Sequence, residues 1–248
     1  MLPMFRGRQG WLWLAPAMLC VARLAAGAET DWRDVESRVQ YAWYTEDARD
    51  LAAVENRLSA LPDTDPRRGY YLALIQLREA QITADEQTVG RAAASCISSA
   101  DEALALRPTD AEVLALQSFC MNLRSRTRPV PFAAARSRAQ MERAVQLAPK
   151  DPRVRLLAAQ LSYATAKSTK ERAQQLAPFQ GAVDAFELER QGLEHIPSWG
   201  AAEAWGGLAQ VYLDRGDTIA ARSALEHALL LMPDYKSAHR LLNHILTG

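Results

Sequence analysis

Residues 202–233 constrain the fold more than any other stretch of this chain. Trp205, Leu208 and Tyr212 recur at intervals of three and four, which places them on one apolar face of a helix. Gly206, Gly207 and Ala209 among them are small, so a neighbouring helix can approach closely there. Gly216 suits the left-handed backbone that ends a helix, and the Asp217 carboxylate suits the cap of the next one. Ala221, Leu225 and Ala228 then form a second apolar face, and Pro233 stops that helix. The stretch predicts two antiparallel helices joined by a tight turn. A further helix over 235–246 comes after it, with Asp234 at its start and Lys236, His239, Arg240 and Asn243 giving it the polar outer side of a closing cap.

This spacing of Trp205, Leu208, Ala209, Tyr212, Gly216, Asp217, Ala221, Leu225, Ala228 and Pro233 resembles a tetratricopeptide repeat. Ala209 and Leu225 stand where the family usually has Gly and Phe, and each keeps the required size. The resemblance implies an all-α fold, a right-handed α-solenoid of helical hairpins whose concave face holds a partner. Elsewhere the chain repeats only a punctuation mark, an apolar helix end followed by Pro and then often Asp. It falls at Pro62, Pro108, Pro149, Pro197 and Pro233, at intervals of 46, 41, 48 and 36 residues. A regular repeat of the family is about 34 residues, so most units would carry insertions. The clearest repeats are 86–125, 133–166 and 201–246.

Periodicity predicts about eleven helices, near 31–43, 47–60, 67–82, 86–106, 110–125, 133–148, 151–166, 171–195, 201–215, 218–232 and 235–246. Pro178 should kink or split the helix 171–195. No β-type alternation is evident, and no long flexible connector divides residues 29–248, so they read as one helical repeat domain.

The first 28 residues read as an address. Arg6 and Arg8 precede an apolar run from Trp11 to Val21, and Ala26-Gly27-Ala28 is a small-x-small cleavage pattern. The run is shorter than the ~20 apolar residues that span a bilayer. Cleavage after Ala28 and release as a periplasmic or secreted protein is the expectation. A lipoprotein anchored at Cys20 is the alternative, against which stands the bulky Leu19 before it. Without the leader the chain holds 26 basic and 29 acidic side chains, a net charge near −3. That balance gives no footprint for nucleic acid, which needs a concentrated basic face. The arginines at 124, 126, 128, 136, 138 and 143 read as solvated helix faces and a loop. No transmembrane segment is expected in the mature chain.

Only Cys96 and Cys120 survive processing, and an even pair in an oxidising compartment reads as a disulfide. Each lies twelve positions from the helix break at Pro108, so antiparallel helices bring them level. Helix axes roughly 8–10 Å apart would put facing Cα atoms roughly 3.5–5.5 Å apart, overlapping the disulfide range. Two reduced cysteines packed as small apolar side chains are the alternative.

Catalytic patterns are missing from the sequence. No His-Glu-x-x-His, Gly-x-Ser-x-Gly, phosphate loop or Gly-x-Gly-x-x-Gly occurs, and His239 and His244 lie about 140° apart around a helix. No catalytic residue, metal ligand or cofactor is assigned. The repeat resemblance implies partner contacts from the inner face of each first helix. The residues in matching register are Glu203, Gln210 and Asp214; Arg153, Gln160 and Tyr163; and Glu112, Phe119 and Asn122. That mixture suits a protein or peptide segment and makes a non-enzymatic exported scaffold the expected function. A structural or chaperone-like subunit of an envelope assembly and an envelope enzyme without recognisable motifs are the alternatives. Trp32, Tyr41, Trp43 and Tyr44 could form an aromatic platform, although burial against the helix 47–60 is the expected use.

Overall fold

The structure, a computed structural model, describes residues 30–129, 131–190 and 198–247. The leader with its Cys20 and Ala28, and Pro197, lie outside the described residues. Every helix described belongs to one compact unit, Asp31–Gly248.

The described part of this unit is all-helical. It begins with α1 (Trp32–Tyr44), α2 (Ala48–Ser59), α3 (Pro66–Ile82), α4 (Glu86–Leu106), α5 (Ala111–Thr127) and α6 (Ala133–Leu147). Then come α7 (Pro152–Thr165), the five-residue α8 (Thr169–Ala173), α9 (Leu176–Arg190), α10 (Ala201–Asp214), α11 (Thr218–Leu231) and α12 (Lys236–Thr247). Sequence neighbours pack antiparallel, α3 on α4, α4 on α5, α5 on α6, and α10 on α11. In addition α3 touches α5, α5 touches α7 and α7 touches α10, so these four helices form a continuous layer.

Local chemistry explains the boundaries. Asp31, Asp47, Asp65, Asp85, Asp110, Asp151 and Asp217 each accept hydrogen bonds from the first backbone N–H groups of the helix that each precedes. Pro66 and Pro152 occupy the first helical turn, where a missing N–H costs nothing. The helices α4, α6 and α11 end at Leu106, Leu147 and Leu231, two residues before Pro108, Pro149 and Pro233. Gly216 sits at φ +76°, the left-handed turn its position requires between α10 and α11.

The stretch 171–195 is split, as its proline suggests. The break falls at Gln174-Gln175, and Pro178 is the third residue of α9. A proline in the first turn removes an N–H that has no intrahelical acceptor, so Pro178 is compatible with a helix start.

The core runs through Val35, Leu51, Leu58, Leu74, Leu116, Val154, Leu157, Val183 and Leu208. A smaller cluster of Ala209, Ala224, Leu225, Ala228 and Ala238 seats α11 and α12 on α10. Helix α3 is buried all round from Gly69 to Arg78, because α1, α2, α4 and α5 all pack on it. Cys96 on α4 and Cys120 on α5 form a disulfide with Cα atoms 6.2 Å apart, slightly beyond the expected spacing and inside the tolerated range. Among the described residues no helix is long and apolar enough to cross a membrane.

The aromatic cluster on α1 is used differently from the expectation. Trp32 stacks on Tyr71 of α3 at 5.5 Å, and Tyr44 meets Tyr235, just before α12, edge to face at 4.8 Å. Burial is thus against α3 and the C-terminal helix, whereas α2 leaves Tyr41 exposed.

Candidate functional site

The nine residues in the repeat register come from α5, α7 and α10, helices that lie side by side. Five of them, Phe119, Gln160, Tyr163, Glu203 and Gln210, line one cavity of about 230 Å³. Gln81 of α3 extends the same wall, Phe179 of α9 closes one side, and Tyr235, Ser237, Ala238 and Leu241 close the other.

Glycine spacing makes room for this cavity. A Cβ on Gly207 would lie 2.1 Å from the Phe179 ring, so only glycine lets that ring reach the wall. The sequence suggests small residues here as seats for a neighbouring helix. The structure instead fills the space over Gly207 with Phe179 and that over Gly206 with Tyr235.

Among the described residues, the cavity's one acidic wall residue is Glu203. Its Oε1 accepts from Arg78 Nη2 at 2.6 Å, and both side chains are 2% exposed. Arg78 is held between the Trp43 and Trp199 rings, at 4.5 and 5.0 Å, and also donates to Gln81 Oε1. Gln160 Oε1 is buried with no hydrogen-bond partner among the described residues, whereas Glu203 Oε2 is buried without a well-formed hydrogen bond and the Tyr44 hydroxyl lies within reach of that carboxylate. The buried Tyr44 hydroxyl lies in the carboxylate's field. Burial first, and that negative charge second, push its pKa well above the ordinary value.

The other four candidates do not line this cavity. Asp214 accepts from the Tyr163 hydroxyl at 2.5 Å and pairs with Arg172, so it fixes the rim. Arg153 is buried and forms a two-pronged pair with Glu189 of α9 at 2.7 and 2.9 Å. Asn122 is buried, with its Oδ1 unpartnered among the described residues.

Glu112 belongs to a second cavity of about 360 Å³, shared with Pro66, Arg67, Tyr70, Tyr71, Arg107 and Asp110. There Trp199 Nε1 donates to the Tyr70 hydroxyl at 2.8 Å, and that hydroxyl donates to Glu112 Oε2 at 2.5 Å. Burial pushes the Glu112 carboxyl up to about 8, against the opposing pull of the Arg153 charge. It is therefore largely protonated at neutral pH.

Sequence reasoning missed the α3 contributions, Tyr70, Arg78 and Gln81, and singled out Trp43 and Tyr44 of α1 without placing them at this site. The available signal was polar Gln76 and Arg78 embedded in the otherwise apolar run Tyr70–Leu77 and its end, which marks a helix buried on every side. Among the described residues no group of three His, Cys, Asp or Glu side chains converges as a metal site would. Neither a protein-family model nor a curated protein sequence matches this chain.

Proposed function

We propose that the chain is an exported, non-enzymatic scaffold that holds a protein or peptide segment against the α5–α7–α10 layer. The observation that carries this reading is the convergence of Phe119, Gln160, Tyr163, Glu203 and Gln210 on one cavity with the unpartnered Gln160 acceptor. Amides and aromatic rings recognise peptides by hydrogen bonding and stacking, without any chemistry on the ligand. Successive contacts among α3, α5, α7 and α10 support a tetratricopeptide-like right-handed stack of hairpins, in which these are the first helices of each pair. The Cys96–Cys120 bond supports export, because such bonds form and persist in oxidising compartments. On this reading residues 1–28 are a leader cleaved after Ala28, and the mature chain is periplasmic or secreted.

The test expresses the full chain with a photo-crosslinking residue at Gln210 and identifies what it captures in envelope extract. The reading expects one protein, cross-linked through that position and lost when Gln160 is replaced by Ala in the same chain. Capture of nothing, with glycan retained or turned over instead, would overturn it. Capture through the outer faces in fixed stoichiometry would favour a structural subunit.

One observation favours an enzyme as the second reading. The Glu112 cavity holds a carboxyl raised to about 8 by burial, the kind of group that can donate a proton at neutral pH. Glu112→Gln discriminates, since it would abolish turnover of envelope substrates and leave partner capture at Gln210 intact.

A further inference from the structure

Within the Gln160–Glu203 cavity, Gln160 Oε1 stands without a donor and Glu203 Oε2 without a well-formed one, and the lining explains what would satisfy them. A buried carboxylate oxygen left unpaired is costly, so its retention points to a group that arrives from outside. Glu203 accepts only; the Gln160 oxygen accepts as well. The rest of the wall offers ring faces, Phe119, Tyr163, Phe179 and Tyr235, over which a cation is attracted. No cationic side chain lines the cavity among the described residues.

We propose that this cavity is a subsite for a guanidinium group, the side chain of an arginine in the bound segment. This rests on the scaffold reading above and specifies what that face selects. A guanidinium carries planar, divergent donors of the kind that Glu203 Oε2 and Gln160 Oε1 lack, and it stacks on aromatic faces. It is also weakly hydrated compared with an ammonium. That matters here because Arg78, paired with Glu203, offsets part of the carboxylate's field. The volume, about 230 Å³, suits a side-chain head rather than a folded element.

The test is calorimetric titration of the full chain with N-acetyl-L-arginine amide and with its citrulline counterpart, the neutral isostere, alongside NMR shift mapping. The expected result is arginine binding at least about tenfold tighter than citrulline, with shifts centred on Tyr163, Gln160 and Tyr235. Glu203→Gln removes the charge and keeps an acceptor for Arg78. Gln160→Met removes the second acceptor without touching the ion pair, and should weaken the arginine probe about fivefold or more. Because Gln160→Met leaves the buried pair whole, it decides the matter even where Glu203→Gln does not fold. Equal binding of the two probes, no binding of either, or arginine binding indifferent to Gln160→Met overturns the subsite. A partner captured at Gln210 through a segment lacking Arg would end the subsite and leave the scaffold standing. Selective binding of the arginine probe with no protein captured would do the reverse.

Discussion

Arg78 on α3 and Glu203 on α10 are 125 residues apart in sequence, and their side chains meet at 2.6 Å with 2% of each exposed. Two charges taken out of water hold each other in place, so the value of the pair lies in its completeness. Glu203→Ala leaves a buried guanidinium alone between two indoles and is expected to cost about 3–5 kcal/mol of stability. Arg78→Met combined with Glu203→Leu should recover most of that loss, since neither charge then needs a partner. Urea unfolding of the three chains measures both numbers. A single variant as stable as the parent would mean that the pair is not buried as described.

Gly207→Ala should destabilise by about 1–3 kcal/mol, the usual cost of overpacking. The added methyl would meet the Phe179 ring at 2.1 Å. Phe179→Leu in the same chain should return part of the loss, and the shift in thermal midpoint reads it out.

Gln160→Met is expected to leave stability unchanged or raise it by up to about 1 kcal/mol. It removes a buried amide oxygen that has no partner among the described residues and keeps a similar volume. A loss above about 2 kcal/mol would show that the amide supports the fold.

Glu112 predicts how stability varies with pH. Its folded-state value is raised from 4.5 to about 8, chiefly by burial. The native state therefore binds the proton more tightly than the unfolded chain does, and this contribution is fully present below about pH 4.5. It is lost as the pH climbs through about 8, by an amount on the order of a few kcal/mol. Glu112→Gln should flatten that decline, which denaturant titrations between pH 5 and pH 9 would record. A parental profile with no such decline counts against a buried carboxyl.

Reducing the Cys96–Cys120 bond, or replacing both residues with Ala, should cost about 3–4 kcal/mol on chain-entropy grounds for a crosslink across 24 residues. The comparison is of unfolding midpoints with and without reductant; in the double Ala variant reductant should then have no effect.

Helix positions were legible in the sequence because their causes are local. Asp217, Gly216, Pro108 and Pro149 act on backbone groups within a turn or two, so caps, stops and the disulfide register can be read without knowing what packs where. The α5, α7 and α10 register residues were legible for a related reason, since a helix repeats its faces by geometry alone. Pro178 marks the edge of such local rules: its ring is incompatible with a helix interior, but only its neighbours decide whether it splits a helix or begins one.

What tertiary structure alone decided is which faces meet at long range. The sequence by itself determined the helical character of the described residues, most helix boundaries, the disulfide partners and the stripes on α5, α7 and α10. It had no means of placing Arg78 against Glu203, Trp199 on Tyr70, or Tyr44 beside Tyr235, because no local rule couples residues more than a hundred positions apart. Those contacts make part of a stripe expected to meet a partner into the wall of a cavity. The physical reason is desolvation, which depends on every element that excludes water and so belongs to the assembled fold.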